Sequence, residues 1–279
     1  MRTIKLNVIK DAVRDLLVDS AQNINEDLLD ALKTAQLREE SPIGKNVLSQ
    51  IIENNLIARK KNVPICQDTG NAVILMKIGS EVCFKGDLTK AVNDGVKEAY
   101  VNHYLRKSVV RHPFDRVNTN DNTPAILHTK IVPGDKILIK VANKGAGSEN
   151  MSKIKMMLPS DGIEGVRKFV LKTVFEAGGK PCPPIIVGIG IGGNFESCAL
   201  LAKEAIMRDL NDESIDPIAR KLEKDWLDDI NKLGIGPMGF GGTVTALAVK
   251  INVAPCHIAS LPVAINIQCH AARSKQIII

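Results

Sequence analysis

The stretch Ile185-Ile186-Val187-Gly188-Ile189-Gly190-Ile191 decides the fold class of this 279-residue chain. Seven uncharged residues, rich in β-branched isoleucine, predict a buried strand. Gly192 and Gly193 end the strand, and a helical pattern follows from about Ser197 to Leu210. Further along, residues 217–233 predict a charged surface helix, and the apolar runs 244–253 and 261–267 predict the last strands. Helices and buried strands are therefore mixed in this half of the chain.

The other half of the chain begins with helical patterns. Apolar residues recur at helical spacing in the first sixty residues, where Ser41-Pro42 predicts a helix start with proline at its first position. Later patterns predict short strands at 63–66 and 72–78, a helix at 88–105, and a hairpin formed by 125–132 and 136–141. We expect a mixed α/β protein, with an N-terminal helical lobe (1–60) packed on a mixed-sheet catalytic domain (61–279), or one continuous domain.

Composition and charge narrow the class of partner. Apolar residues make up 44% of the chain and charged residues 24%, which are ordinary values for a globular protein. Aromatic residues are only 3%, too few for a base-stacking surface. The net charge is +6, but no long basic block concentrates it. We therefore expect no nucleic-acid partner and a mild preference for anionic ligands.

The sequence also predicts the compartment. We find no N-terminal signal pattern, and no apolar run approaches the roughly 20 residues that a membrane span needs. We therefore expect no membrane partner. The six cysteines are widely spaced, which favours reduced thiols in a cytoplasm over disulfides.

Three cysteines, Cys66, Cys182 and Cys269, occupy loop-like or strand-end positions. Three thiolates on a [4Fe–4S] cluster would leave one iron without a protein ligand, and such an iron is a Lewis acid. From the residues alone, structural thiols are an equal alternative. Cys83 and Cys198 fit small buried hydrophobic residues. Cys256 has a Pro-Cys context like that of Cys182 and is a reserve ligand.

Several motifs together resemble the class I (iron–sulfur) fumarases and the related L(+)-tartrate dehydratases. The resemblance runs from about Pro42 to Arg273. The motifs occur in the order of that family: Cys66-Gln67-Asp68-Thr69-Gly70, Asn118-Thr119 with Asp121-Asn122-Thr123-Pro124, Lys144-Gly145-Ala146-Gly147-Ser148-Glu149-Asn150, Gly190-Ile191-Gly192-Gly193, and the segment His257 to Cys269.

The resemblance implies a role for eight residues. Cys66, Cys182 and Cys269 match the ligands of a [4Fe–4S] cluster with one iron not bound by protein. Asp68 matches a proton-transfer aspartate, which works with a threonine of the partner subunit. The implied substrate contacts are Gln67, Arg106, Gly147 and His257.

Four of these implied roles, those of Asp68, Arg106, Gly147 and His257, have an alternative. Asp68-Thr69-Gly70 also fits a turn with an Asx-type hydrogen bond, and Arg111 or Arg116 could replace Arg106 as the carboxylate ligand. The loop around Gly147 departs from the family pattern at Ala146, where glycine is usual, and could be a tight turn. His257 could be a buried structural histidine.

The resemblance further implies an α subunit in a hetero-oligomer, whose active site a smaller β subunit completes. The expected reaction is reversible hydration of fumarate, a C4 dicarboxylate, to L-malate. The alternatives are an L(+)-tartrate dehydratase α subunit, a nucleotide-binding oxidoreductase, and a non-catalytic partner with structural thiols. Gly188, Gly190 and Gly193 form the G-x-G-x-x-G pattern that suggests the oxidoreductase. No second strand ending in an acidic residue follows it, which argues against a dinucleotide site. The apolar end, Ile277-Ile278-Ile279, fits either burial by a partner or a strand of the same domain.

Overall fold

The computed structural model describes residues 1–279 and confirms the predicted mixed α/β fold class. The helices are α1 (Leu6–Gln22), α2 (Glu26–Arg38), α3 (Pro42–Lys61), α4 (Leu88–Asn102), α5 (Ala146–Glu149), α6 (Gly162–Ala177), α7 (Phe195–Ile206) and α8 (Pro217–Asn231). The strands are β1 (Arg2–Thr3), β2 (Asn71–Gly79), β3 (Val82–Cys83), β4 (Ile126–Val132), β5 (Ile137–Lys144), β6 (Lys153–Met157), β7 (Ile185–Gly193), β8 (Ala246–Cys256), β9 (Leu261–Gln268) and β10 (Ser274–Ile278).

The chain divides into two compact units. Unit 1 comprises Met1–Asn25, Asn54–Ala146 and Ala272–Ile279, and unit 2 comprises Glu26–Glu53 and Gly147–Ala271. The predicted N-terminal lobe, residues 1–60, contributes helical residues to both units. A separate lobe formed by this segment stays a prediction.

Unit 1 contains a four-stranded sheet in the order β10-β5-β2-β4. Ile74, Met76 and Ile78 alternate along β2 and enter a hydrophobic core with residues of α1 and α4, such as Val13 and Val96. The two-residue period of β2 and the helical period of α1 and α4 therefore place their apolar side chains in the same core. A separate two-stranded sheet joins β1 to β3.

The predicted hairpin at residues 125–141 is wrong. β4 and β5 lie on opposite sides of β2, and β2 pairs parallel with β4 and antiparallel with β5. The connection between them crosses the end of β2, where Gly79 donates a backbone hydrogen bond to Lys136 (2.8 Å). Neighbouring residues Val73 and Ile74 point to opposite faces of β2 and are 1% and 0% exposed. A strand that is apolar on both faces is more stable in the middle of a sheet than at its edge.

Unit 2 contains a second four-stranded sheet, in the order β6-β9-β7-β8. One face of this sheet forms a hydrophobic core with α6 and α8, in which Trp226 is 1% exposed and Val187 is 0% exposed. The other face packs against α7 through Cys198, Ala202 and Ala264. The predicted strand at 185–191 and the helices around it are confirmed, and the sheet lies between helices on both faces.

The segment before Cys66 and the C-terminal isoleucines each had a sequence-based prediction. Residues 63–66 were predicted as a strand but form irregular backbone that ends in a bend, so that prediction is wrong. Ile277 and Ile278 belong to β10, and the next residue, Ile279, exchanges two backbone hydrogen bonds with Ile137 at 2.8 and 3.0 Å. The end of the chain therefore extends a strand within unit 1. No helix of the structure is both long and apolar enough to cross a lipid bilayer.

Candidate active site

In unit 1 the segment that carries Cys66 is held in place by its neighbours. The backbone N–H of Ile65 donates to the carbonyl of Ala21 at 2.9 Å, and the side-chain amide of Asn54 donates to the carbonyl of Ile65 at 2.9 Å. The next residue, Cys66, has a half-buried free thiol that lies 3.7 Å from Oε1 of Gln67. These contacts place the thiol at a bend, where a ligand could reach it.

The carboxylate of Asp68 is fixed by two backbone N–H groups. Oδ1 accepts a hydrogen bond from Gly70 at 3.0 Å, which is the Asx-type turn considered as an alternative. Oδ2 accepts a second bond from the N–H of Ala146 at 2.9 Å, from a part of the chain 78 residues away. The carboxylate is half-buried. The turn and a defined carboxylate position therefore coexist, and one does not exclude the other.

Glycine is required at position 70. Its φ of +69° is unfavourable for residues with a Cβ, and a Cβ built there would lie 2.4 Å from the backbone of Lys144. The close approach brings Gly70 against the Lys144–Ala146 backbone, which supplies the N–H group to Asp68. The glycine of the Cys66–Gly70 motif thus has a structural role in forming the site.

Arg106 lies beside the same turn. The hydroxyl of Thr69 donates to the backbone carbonyl of Arg106 at 3.0 Å, and the Arg106 side chain is exposed. Unit 1 therefore brings the Cys66–Gly70 segment next to the backbone of the predicted carboxylate ligand. Arg111 and Arg116 are also exposed, so exposure does not choose among the three arginines.

In unit 2 the segments around Cys182 and Cys269 are neighbours. The backbone N–H of His270 donates to the carbonyl of Cys182 at 3.3 Å. Cys182 follows a buried proline and has a φ of +56°, and both cysteines are half-buried and outside any disulfide. The end of β9 thus lies beside the loop of Cys182.

The segment after Gly147 is held by a salt bridge. Nζ of Lys203 donates to both carboxylate oxygens of Glu149, at 2.5 and 2.6 Å, and the side-chain amide of Asn266 donates to the same carboxylate at 2.9 Å. Burial lowers the pKa of Lys203, and the charge of Glu149 opposes that effect. Gly147 itself is exposed. Nothing in the sequence singled out Lys203.

His257 lies in the turn between β8 and β9 and is exposed, so the buried structural alternative is wrong. Its Nδ1 accepts a hydrogen bond from the N–H of Ala259 at 3.1 Å, which leaves Nε2 available. His257 and Cys256 line a mostly apolar pocket of about 490 Å³ with Trp226, but neither Cys182 nor Cys269 lines it.

The glycines of the G-x-G-x-x-G pattern have a packing role. A Cβ on Gly188 would lie 2.4 Å from Cγ2 of Ile206, and one on Gly190 would lie 2.1 Å from the carbonyl of Cys198. Both positions let α7 approach β7 more closely than any larger residue would allow. The helix is capped by Asn194, whose side chain accepts from the N–H of Ser197. This arrangement accounts for the glycines without a nucleotide.

Cysteine thiolates are the usual protein ligands of iron–sulfur clusters, so the side chains predicted here are of the right type. None of the six cysteines forms a disulfide, and the three predicted ligands are each half-buried, which combines access with partial shielding from solvent. Cys198 is buried and Cys83 is half-buried against Oγ1 of Thr3. No group of three or more His, Cys, Asp or Glu side chains is arranged closely enough to hold a metal ion. The cluster and its ligands therefore stay a prediction, which the donor types fit.

Comparison with known proteins identifies the class. Residues 10–278 match the fumarate hydratase (Fumerase) family. The chain belongs to this family, and it is a hydro-lyase of the fumarase and tartrate dehydratase type.

Several proteins named as alpha subunits of L(+)-tartrate dehydratase are similar to this chain over nearly its whole length. A Methanocaldococcus jannaschii protein named "Putative L(+)-tartrate dehydratase subunit alpha" is 46% identical over 272 residues, covering 95% of each chain. The L(+)-tartrate dehydratase subunit alpha of Escherichia coli UTI89 is 33% identical, covering 96% of this chain and 89% of its own. That of Escherichia coli K12 is 32% identical, covering 98% of this chain and 91% of its own.

Proposed function

We propose that this chain is the α subunit of a [4Fe–4S]-dependent hydro-lyase that hydrates fumarate reversibly to L-malate. The observation that carries the proposal is the position of Asp68. Its carboxylate is fixed two residues after a free cysteine, and its turn is bonded to the backbone of Arg106. A carboxylate held in one position can act as a general base in proton transfer.

Cys66, Cys182 and Cys269 would hold the cluster. When bound, it would supply an iron without a protein ligand, which acts as a Lewis acid toward a substrate oxygen.

The other residues bind the substrate or move a proton. The guanidinium of Arg106 pairs with a substrate carboxylate, and its planar geometry suits a bidentate contact. The backbone N–H of Gly147, the side chain of Gln67 and Nε2 of His257 provide further polar contacts. In the dehydration direction Asp68 accepts the proton from the carbon next to the hydroxyl-bearing carbon, the C–O bond breaks as the double bond forms, and the hydroxyl leaves as water with a proton from the partner subunit. Hydration is the reverse, and Asp68 returns the proton to carbon.

We also propose a β subunit as partner. Relatives of this chain are named as alpha subunits. A dicarboxylate has two charged ends, and the residues assigned here offer one cation, Arg106, for them. The second subunit would bind the other end and provide the remaining proton-transfer group.

L(+)-tartrate dehydration is the second candidate reaction, because the relatives named above carry that name. Both substrates are C4 dicarboxylates, so the residues described here would serve either one. The difference between them is the additional hydroxyl groups of tartrate, which need their own hydrogen-bond partners.

Substrate and partner can be tested together. The chain would be co-produced with a candidate β subunit and reconstituted without oxygen with iron and sulfide. The values of kcat/KM for L-malate, fumarate and L(+)-tartrate would then be compared. We expect turnover by the two-subunit protein and negligible turnover by the chain alone. Asp68→Asn should abolish turnover, whereas Asp115→Asn, an exposed aspartate outside the turn, should not. Full turnover by the chain alone would contradict the two-subunit assignment, and higher kcat/KM for tartrate would reassign the substrate.

A further inference from the structure

Arg273 is a charged residue that the proposed chemistry leaves without a role. It lies in unit 1, directly before β10, and only 1% of its surface is exposed. An arginine side chain does not lose its charge in a protein, so its burial has a considerable free-energy cost. Such a residue requires strong local partners.

Its partner is the turn formed by Asp68, Thr69 and Gly70. Nη1 of Arg273 donates to the backbone carbonyl of Asp68 at 2.6 Å, across 205 residues of sequence. A Cβ built on Gly145 would be 3.1 Å from Oδ2 of Asp68 and 3.4 Å from Nη2 of Arg273, so both groups line the same side of Gly145.

Tyr100 lies against the next two residues of the turn. Its hydroxyl lies 2.9 Å from the carbonyl of Thr69 and 3.0 Å from that of Gly70. The side chain of Asn122 adds a bond to Gly70 at 3.1 Å. Burial raises the pKa of Tyr100, so the hydroxyl keeps its proton and remains a donor. The one proton of this hydroxyl has a third acceptor within reach, Oδ1 of Asn143 at 2.8 Å. The carbonyls of Asp68 and Gly70 are therefore bonded to the buried side chains of Arg273 and Asn122, and the carbonyl of Thr69 lies within hydrogen-bond distance of Tyr100.

We propose that Arg273 is a positioning residue for Asp68. By fixing the Asp68 carbonyl from one side, it keeps the carboxylate oxygens aligned with the N–H groups of Gly70 and Ala146. A buried charge is a weak source of net stability, which favours a positioning role over a purely stabilising one. This inference rests on the proposed role of Asp68 in proton transfer.

The kinetic test compares Arg273→Met and Arg273→Lys in the reconstituted two-subunit enzyme. We expect Arg273→Met to lower kcat by tenfold to a hundredfold, with KM for the dicarboxylate changed less than twofold. Lysine keeps a charged donor and should restore part of kcat. Lys275→Met, in neighbouring β10, is the control and should leave kcat unchanged. A wild-type kcat in Arg273→Met would overturn the proposal. So would an increase in KM as large as the decrease in kcat.

A second test does not depend on activity. Amide hydrogen exchange of the chain alone should become at least fivefold faster at Gly70 and Ala146 in Arg273→Met. Both amides donate to the carboxylate of Asp68, which Arg273 would no longer hold in place. Exchange in Lys275→Met should stay as in the wild type. Unchanged exchange at both amides would refute the positioning role, even if the reaction assigned to the wild type proved wrong.

Arg273→Lys decides the matter if Arg273→Met does not fold. A kcat at least threefold below wild type at constant KM, with faster exchange at Ala146, would support the inference. Wild-type values of both would refute it.

Discussion

The carboxylate of Glu39 accepts the backbone N–H of Val244 at 2.8 Å, although the two residues are 205 positions apart. The other carboxylate oxygen accepts three more backbone N–H groups, from Glu40, Ser41 and Thr243, each at 2.9 Å. Glu39 is 1% exposed. One buried carboxylate thus joins the connection between α2 and α3 to the segment before β8 within unit 2.

This arrangement predicts that stability depends on pH through Glu39. Burial acts to raise the pKa of Glu39, but the bonds from Ser41, Thr243, Val244 and Glu40 together lower it below its ordinary value of 4.5. A group with a lowered pKa in the folded state stabilises the protein above the unfolded-state pKa, and this contribution is lost as the pH falls through the folded-state pKa. Glu39→Gln should therefore cost about 1–3 kcal/mol at pH 7, because an amide cannot accept on both sides.

Urea unfolding of wild type and Glu39→Gln between pH 7 and pH 3 would measure this. The difference in unfolding free energy should shrink below about pH 4, close to the ordinary carboxyl pKa. Glu40→Gln, at an exposed neighbouring position, is the control and should change stability little at any pH. A constant difference across the range would mean that the charge of Glu39 is unimportant.

Gly190 gives the second prediction. Gly190→Ala should destabilise the protein by roughly 1–3 kcal/mol, since the new Cβ would overlap the carbonyl of Cys198 in α7. Thermal unfolding measures the effect. Adding NAD to the wild type should not raise its melting temperature, whereas a ligand that binds the folded state would do so. A clear increase with NAD would restore the nucleotide-binding alternative.

The third prediction concerns the cluster. Serine at Cys66, Cys182 or Cys269 should remove the visible absorbance and the bound iron of the anaerobically reconstituted protein, because a thiolate ligand is lost. Cys83→Ala and Cys198→Ala, at the half-buried and buried cysteines outside the proposed set, should retain both. Cys256 is exposed and tests the reserve ligand. If Cys256→Ser loses the iron and Cys182→Ser keeps it, the ligand assignment must change.

Local features of this fold follow from the sequence, whereas contacts between distant segments do not. The strand at 185–191 and its helices were predictable because their apolar periods are local properties of the chain. The positions of β4 and β5 were not, because nothing local shows that β2 lies between them. Arg273 was missed for the same reason. Its burial and its bond to Asp68 exist only after residues 205 positions apart have met.

The motif residues of the site show the same division. Asp68 and its turn were predictable from the Cys66–Gly70 motif, and the Asx bond to Gly70 is local. The bond from Ala146 to the same carboxylate was not predictable from spacing. Lys203 also gave no signal, because a lysine on an amphipathic helix normally faces solvent, whereas this one is paired with Glu149.

The last prediction concerns the choice of carboxylate ligand among three exposed arginines. Thr69 bonds to the backbone of Arg106, which places Arg106 next to the Asp68 turn. Arg106→Ala should therefore raise KM for the dicarboxylate about tenfold to a hundredfold, equivalent to the loss of roughly 1.5–3 kcal/mol from charge-assisted hydrogen bonds. Arg106→Lys keeps the charge but loses the planar pair of donors, so similar damage from lysine would indicate bidentate binding. Arg111→Ala is the matched control and should leave KM near the wild-type value. An unchanged KM in Arg106→Ala, with a large increase in Arg111→Ala or Arg116→Ala, would move the contact to that arginine.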